Sequence, residues 1–194
     1  MDVQAKFVEQ ELGAAELISV NAANIPMRAI EWLWPNRLAY GKLGLLGGLP
    51  DMGKGLITAF MMACITTRMG YPCGEGAPPR FGRVLYLSAE DDIEDTIIPR
   101  LKAAGADLTR IEIIKCVRKE GKDKSVSLVT DLDELRAKID KHGAEMIVID
   151  PVASYTGKVN NHMNAEVRSF LTPLTDMAAE CPPSALIGQN GRIE

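Results

Sequence analysis

The sequence predicts an α/β fold: a mostly parallel β-sheet with helices on both faces. Three observations predict it. Short apolar runs alternate with longer segments of helical periodicity through most of the chain, the pattern of strands joined by right-handed helical crossovers. One junction reads LGLLGGLPDMGKG, Leu43 to Gly55, where Gly48, four residues, Gly53 and Lys54 take the spacing of a phosphate-binding loop. Finally, Gly48, Glu90, Asp150 and Gln189 each fall at or just after the carboxyl end of an apolar run, the edge of a parallel sheet where ligands bind.

The bulk properties suit one domain with a real core: 194 residues, 46% hydrophobic and 25% charged. A net charge of −4 excludes an overall basic surface, though not a local basic channel. The four cysteines, Cys64, Cys73, Cys116 and Cys181, are far apart with no CxxC pair. That argues against a zinc site or a disulfide framework and for a reducing, cytoplasmic setting. The N-terminus, MDVQAKFVEQ, carries acids and no long apolar run, so it does not read as a secretory signal. No stretch approaches the roughly 18 uninterrupted apolar residues of a membrane span.

Residues 3–18 space Phe7, Val8, Leu12, Leu17 and Ile18 as an amphipathic helix, an arm lying on the domain or serving oligomerisation. A polar linker follows over 19–27. The expected organisation is therefore an N-terminal arm and linker, 1–27, before a core, 28–194. Trp32 and Trp34 would share a face of a strand. Packing is the favoured reading, and a platform for an adenine ring is the alternative.

Lys42–Gly47 is the first core strand and Gly53–Met69 the first helix. A turn-rich loop covers 70–82. Arg83–Ala89 is a strand apolar enough to be buried on both faces. Glu90, Asp91 and Asp92 lead into a helix, DIEDTIIPRLKAAG, that Pro99 should kink and Gly105 should end. Ile111–Val117 is a third strand. RKEGKDKSVS, 118–127, reads as a charged, solvated loop. A helix over Asp131–His142, a buried strand over Glu145–Val152, a polar loop over 153–164, a helix over Ala165–Glu180 and a strand over Ser184–Gln189 complete the alternation.

The chemistry follows from these positions. A strand, glycine loop, lysine and helix in that order form a triphosphate cradle: backbone N–H groups face the phosphates and Lys54 neutralises them. The cradle comprises Gly48, Leu49, Pro50, Asp51, Met52, Gly53, Lys54, Gly55 and Leu56. The residue after the lysine should carry a hydroxyl for Mg²⁺, and here it is Gly55. Met146–Asp150 suits a strand whose aspartate holds the metal through water. Glu90 can supply the carboxylate that orients an attacking water. Asp91 and Asp92 read mainly as helix N-terminal charges.

The stretches LSAEDD, PRL, AAGAD, IVIDPVASYTG and EVRSFLTPLTDMA, in this order and spacing, resemble the RecA-like AAA-type ATPases of phages and plasmids, which include the RepA-type hexameric replicative helicases. The resemblance runs from about Arg28 to Gln189. It implies a RecA-like P-loop NTPase core using ATP and Mg²⁺, with Lys54, Glu90 and Gln189 as catalytic groups and Asp150 as the magnesium-linked aspartate. Gln189 would sense the γ-phosphate. The resemblance also implies a ring or filament of identical subunits, single-stranded DNA as a partner, and a DNA-facing loop carrying Lys158, Asn160, Asn161 and His162. An ordinary exposed loop is the equal alternative there.

The sequence departs from that pattern in three places. Gly55 lacks the hydroxyl, although nucleotide kinases of the adenylate type also carry G-K-G. Gln189 stands where relatives commonly have histidine. The family core continues through further strands bearing a trans-acting cation, so this core is expected to be incomplete. A non-catalytic nucleotide-binding regulator and a small-molecule kinase remain as other readings.

Overall fold

The computed structural model describes Leu17 and residues 19–156, 164–181 and 185–190. The helix expected over 3–18 lies outside them, apart from Leu17, and so does the loop with Lys158, Asn160, Asn161 and His162.

A hairpin of β1 (Trp32–Trp34) and β2 (Leu38–Ala39) precedes the core. Trp34 stacks on Tyr71 with ring centroids 4.7 Å apart, and its indole N–H donates to Glu75 Oε2 at 2.6 Å. Arg37 also donates to both oxygens of Glu75, at 2.9 and 2.7 Å. Trp34 is thus engaged in packing the hairpin onto the domain.

The core is a parallel sheet in the order β3-β9-β8-β4-β5. Its strands are β3 (Leu43–Gly47), β4 (Val84–Ser88), β5 (Ile111–Ile114), β8 (Met146–Asp150) and β9 (Ala185–Asn190). The central strands β4 and β8 are almost continuously apolar because helices cover both faces. Alternate residues divide the core. Val84, Tyr86, Met146 and Val148 pack on one face with Ala59, Met62 and Ile65 of α1 (Lys54–Thr67) and Leu101 of α2 (Ile98–Ala103). Leu85, Leu87, Ile147 and Ile149 pack on the other with Leu135 and Ile139 of α3 (Leu132–His142) and Leu174 and Met177 of α4 (Asn164–Glu180). Each such buried side chain contributes about 1.5–3 kcal/mol by leaving water. The mixed α/β architecture with a parallel sheet is the one expected.

Two elements differ from expectation. The helix expected from Asp92 to Gly105 is divided. A π turn spans Ile93–Ile97, with the Ile97 N–H reaching Asp92 O at 3.0 Å, and α2 follows with Pro99 in its first turn. Proline has no N–H and its ring crowds the carbonyl of the preceding turn, so the widened turn replaces a kink. The charged segment 118–127 is not a plain loop. It holds much of a second hairpin, β6 (Val117–Lys119) and β7 (Lys122–Lys124), turned at Glu120 and Gly121, whose φ values are 53° and 74°. Two adjacent positive φ values match the twist of a tight hairpin. Arg118 grips Asp123 across it at 2.6 and 3.0 Å, and Lys119 pairs with the buried Asp131 ahead of α3.

Candidate functional site

The carboxyl ends of β3, β4, β8 and β9 lie on one edge of the sheet because all the strands run parallel. Gly48 to Gly53 leave β3 there and turn into α1. Gly53 takes φ 80°, a left-handed value that a glycine meets without strain, and Asp51 takes φ 59°, a region that aspartate visits more readily than most residues. Leu49, Pro50, Asp51, Met52 and Leu56 are exposed. Lys54 is half-buried and curls back over the loop, its Nζ donating to Gly48 O at 2.9 Å and Leu49 O at 2.8 Å. The N–H groups of Gly53, Lys54 and Gly55 donate to no described acceptor, as expected for the orphan donors of a helix N-terminus.

Asp150 ends β8 in register with Ser88 of β4. It is half-buried, accepts a hydrogen bond from Tyr86 Oη at 3.3 Å, and forms no ion pair with any described residue. Burial raises its carboxyl to about 6. The Tyr86 hydrogen bond opposes the rise, the charges of Asp91 and Glu90 add to it, and Lys54 pulls the other way. Lys54, Glu90, Asp91 and Asp150 therefore share one electrostatic neighbourhood.

Glu90 is exposed just beyond β4 and makes no hydrogen bond or ion pair with a described residue. Asp92 is the helix-terminal charge expected, its Oδ1 accepting from the N–H groups of Glu94 and Asp95 at 2.8 and 3.2 Å. Asp91 differs from that expectation: it pairs with Arg100 of α2. Gln189 lies on β9 beside Leu46, with β9 between β3 and β8, so its backbone sits between the loop strand and the Asp150 strand.

The residues present fit a magnesium ion held mainly by phosphates and water, with Asp150 as the protein carboxylate. Among the described residues no cluster of three His, Cys, Asp or Glu side chains could hold an ion alone, and a phosphate-bound ion needs none. Thr58 does not replace the hydroxyl missing at Gly55. It is fully buried, and its Oγ1 donates to Gly55 O at 3.1 Å.

Sequence reasoning missed Tyr86 and the Asp91–Arg100 pair. A phenol in the buried run VLYLS is a signal, since a buried hydroxyl needs a partner. Nothing in the local sequence pointed to Arg100, whose pairing with Asp91 depends on the π turn between them.

Among the described residues no helix is long and apolar enough to cross a membrane. No curated protein gives a significant match to the chain. A family model described as "AAA domain" matches residues 9–186, nearly the whole chain. With its parallel sheet, its glycine loop leading into α1 and its strand-end carboxylates, the chain belongs to the AAA-domain family of ATPase-type, nucleotide-binding proteins.

Proposed function

We propose that the chain is a RecA-like P-loop ATPase acting as a helicase-like motor in DNA replication or a related DNA transaction. The observation that carries the site is the convergence of Lys54, Glu90 and Asp91 on the half-buried Asp150 at one sheet edge. A half-buried carboxylate with its carboxyl raised by burial, set beside further acidic groups and a lysine, is the arrangement expected where phosphate chemistry is organised.

In this reading the loop from Gly48 to Leu56 cradles the phosphates of ATP. Lys54 exchanges two carbonyl partners for phosphate oxygens, and the α1 N–H groups meet the remaining negative charge. Asp150 would hold Mg²⁺ through water, where the ion would supply positive charge against the phosphates. Glu90 orients a water and takes its proton as the new P–O bond forms and the bond to ADP breaks. Gln189 contributes a hydrogen bond to the γ-phosphate. Identical subunits assemble as a ring or filament, and the segment bearing Lys158, Asn160, Asn161 and His162 tracks single-stranded DNA through its phosphates.

Two observations favour a second reading, a nucleotide-binding regulator without turnover: Gly55 supplies no metal hydroxyl, and Glu90 makes no hydrogen bond or ion pair among the described residues. Phosphate release with and without single-stranded DNA separates the two when nucleotide affinity is measured in parallel. The motor reading expects turnover that DNA stimulates and that Glu90→Gln abolishes while binding persists. Tight binding with the same negligible turnover in both proteins would establish the regulator instead.

A further inference from the structure

The residue after the loop lysine has no side chain, and a cation occupies the space beside it. A Cβ built on Gly55 would stand 3.1 Å from Nη1 of Arg100, tighter than ordinary contact. The guanidinium comes from α2 of the same chain and is anchored by Asp91. It remains 39% exposed and lines the cleft between α1 and α2 together with Leu56, Phe60 and Pro99.

This is an unusual place for a cation. Gly55 lies in the first turn of α1, where the helix dipole is positive and a guanidinium is disfavoured unless an anion accompanies it. In the nucleotide-free protein Asp91 is that anion. Phosphate oxygens held at the same helix end would be another, and a planar guanidinium is well shaped to meet them.

We propose that Arg100 is a phosphate-binding residue of this nucleotide site, acting from within the same chain in the space that a hydroxyl-bearing residue 55 would take. The inference rests on the nucleotide-site reading above and extends it. Gly55 is then the condition for Arg100's approach. Nucleotide binding depends on the guanidinium and tolerates loss of Mg²⁺, because Arg100 supplies positive charge on the side that a metal would otherwise serve alone.

The test is equilibrium binding of a fluorescent ATP analogue, by anisotropy, in Mg²⁺ and in EDTA. The proteins are the wild type, Arg100→Ala, Arg100→Lys and Gly55→Ser, each checked for folding by circular dichroism. EDTA is expected to weaken wild-type binding by less than about threefold. Arg100→Ala is expected to weaken binding in EDTA by about tenfold or more, the loss of a charge-assisted contact. Arg100→Lys recovers only part of this, having no fork, and covers the case in which the alanine variant fails to fold. Gly55→Ser, which crowds the guanidinium, makes binding more dependent on Mg²⁺. The inference is overturned if a folded Arg100 variant binds the analogue in EDTA as tightly as the wild type, or if EDTA weakens the wild type and Arg100→Ala equally and strongly. No binding by the wild type in either buffer would overturn the nucleotide-site reading itself, and the inference with it.

Discussion

The hydroxyl of Tyr86 donates to Oδ2 of Asp150 at 3.3 Å, joining two buried neighbouring strands just below the edge where the charged groups gather. Tyr86 packs among Val84, Met146 and Val148, so its ring is held by the core while its polar end serves the carboxylate. Removing only that hydroxyl leaves the packing intact.

Tyr86→Phe should therefore fold normally, with stability changed by no more than about 1 kcal/mol. It should lower ATP turnover by about tenfold, the usual scale for losing a group that orients a metal-linked carboxylate, the role proposed for Asp150. Urea melts and steady-state phosphate release check the two halves. A large loss of stability would show that the phenol is chiefly structural.

Asp150 should make the nucleotide-free protein sensitive to pH. Burial raises its carboxyl from 3.8 to about 6. A carboxyl raised on folding favours the folded state while protonated, so that benefit is full below the unfolded value and lost as pH climbs through the folded one. Asp150→Asn should then stabilise the protein at pH 8 by about 1–2 kcal/mol, discounted for solvent screening of a half-buried group. The difference should vanish near pH 4. Urea melts of both proteins across this range test it, and a gap independent of pH would contradict it.

Lys54→Ala should cost binding rather than folding. Its ammonium bonds only to two carbonyls of an open loop among the described residues, and both can turn to water. Thermal melting should stay within a few degrees, roughly 1 kcal/mol for a domain of this size. Affinity for an ATP analogue should fall by about tenfold or more. Unchanged affinity would remove the loop from the site.

Gly188→Ala should destabilise the sheet. A Cβ there would stand 2.5 Å from Val152 Cγ2 and 3.1 Å from Leu45 Cδ2. Val152 is buried in the turn that follows Asp150. Overpacking of this kind costs about 1–3 kcal/mol. A pairing of Gly188→Ala with Val152→Ala should recover part of the loss, measured by the same melts.

Sequence legibility followed the range of the interactions. β4 and β8 could be read because a strand covered on both faces is apolar throughout. The loop from Gly48 to Leu56 could be read because its glycines and lysine are local in sequence. The β6–β7 hairpin was hidden because it is charged and exposed on β7, and because its turn depends on positive φ at Glu120 as well as Gly121. The division of the helix before α2 could be located at Pro99, but its form as a π turn could not. At the site, Asp150 was visible as the end of a buried run. Its partner Tyr86 depends on strand register, and the Arg100–Asp91 pair, nine residues apart, depends on how the π turn between them sets the direction of α2. The first joins two strands far apart in sequence, and the second turns on a π turn that residue types alone do not announce.

The strand that launches the glycine loop is tied to the sheet by a strand made much later in the sequence. Among the described strands β3 pairs only with β9, Leu43 beside Leu186 through Gly47 beside Asn190. As the chain emerges during synthesis, β4, β5 and β8 can join while β3 still lacks its one described neighbour, β9. The glycine-loop strand thus meets its described neighbour only after β4, β5 and β8 have been made, a long-range closure of the kind that slows folding. Until β9 arrives, Leu43, Leu45 and Leu46 stand without this strand partner, so the interval before that pairing is when the segment most needs protection from other chains.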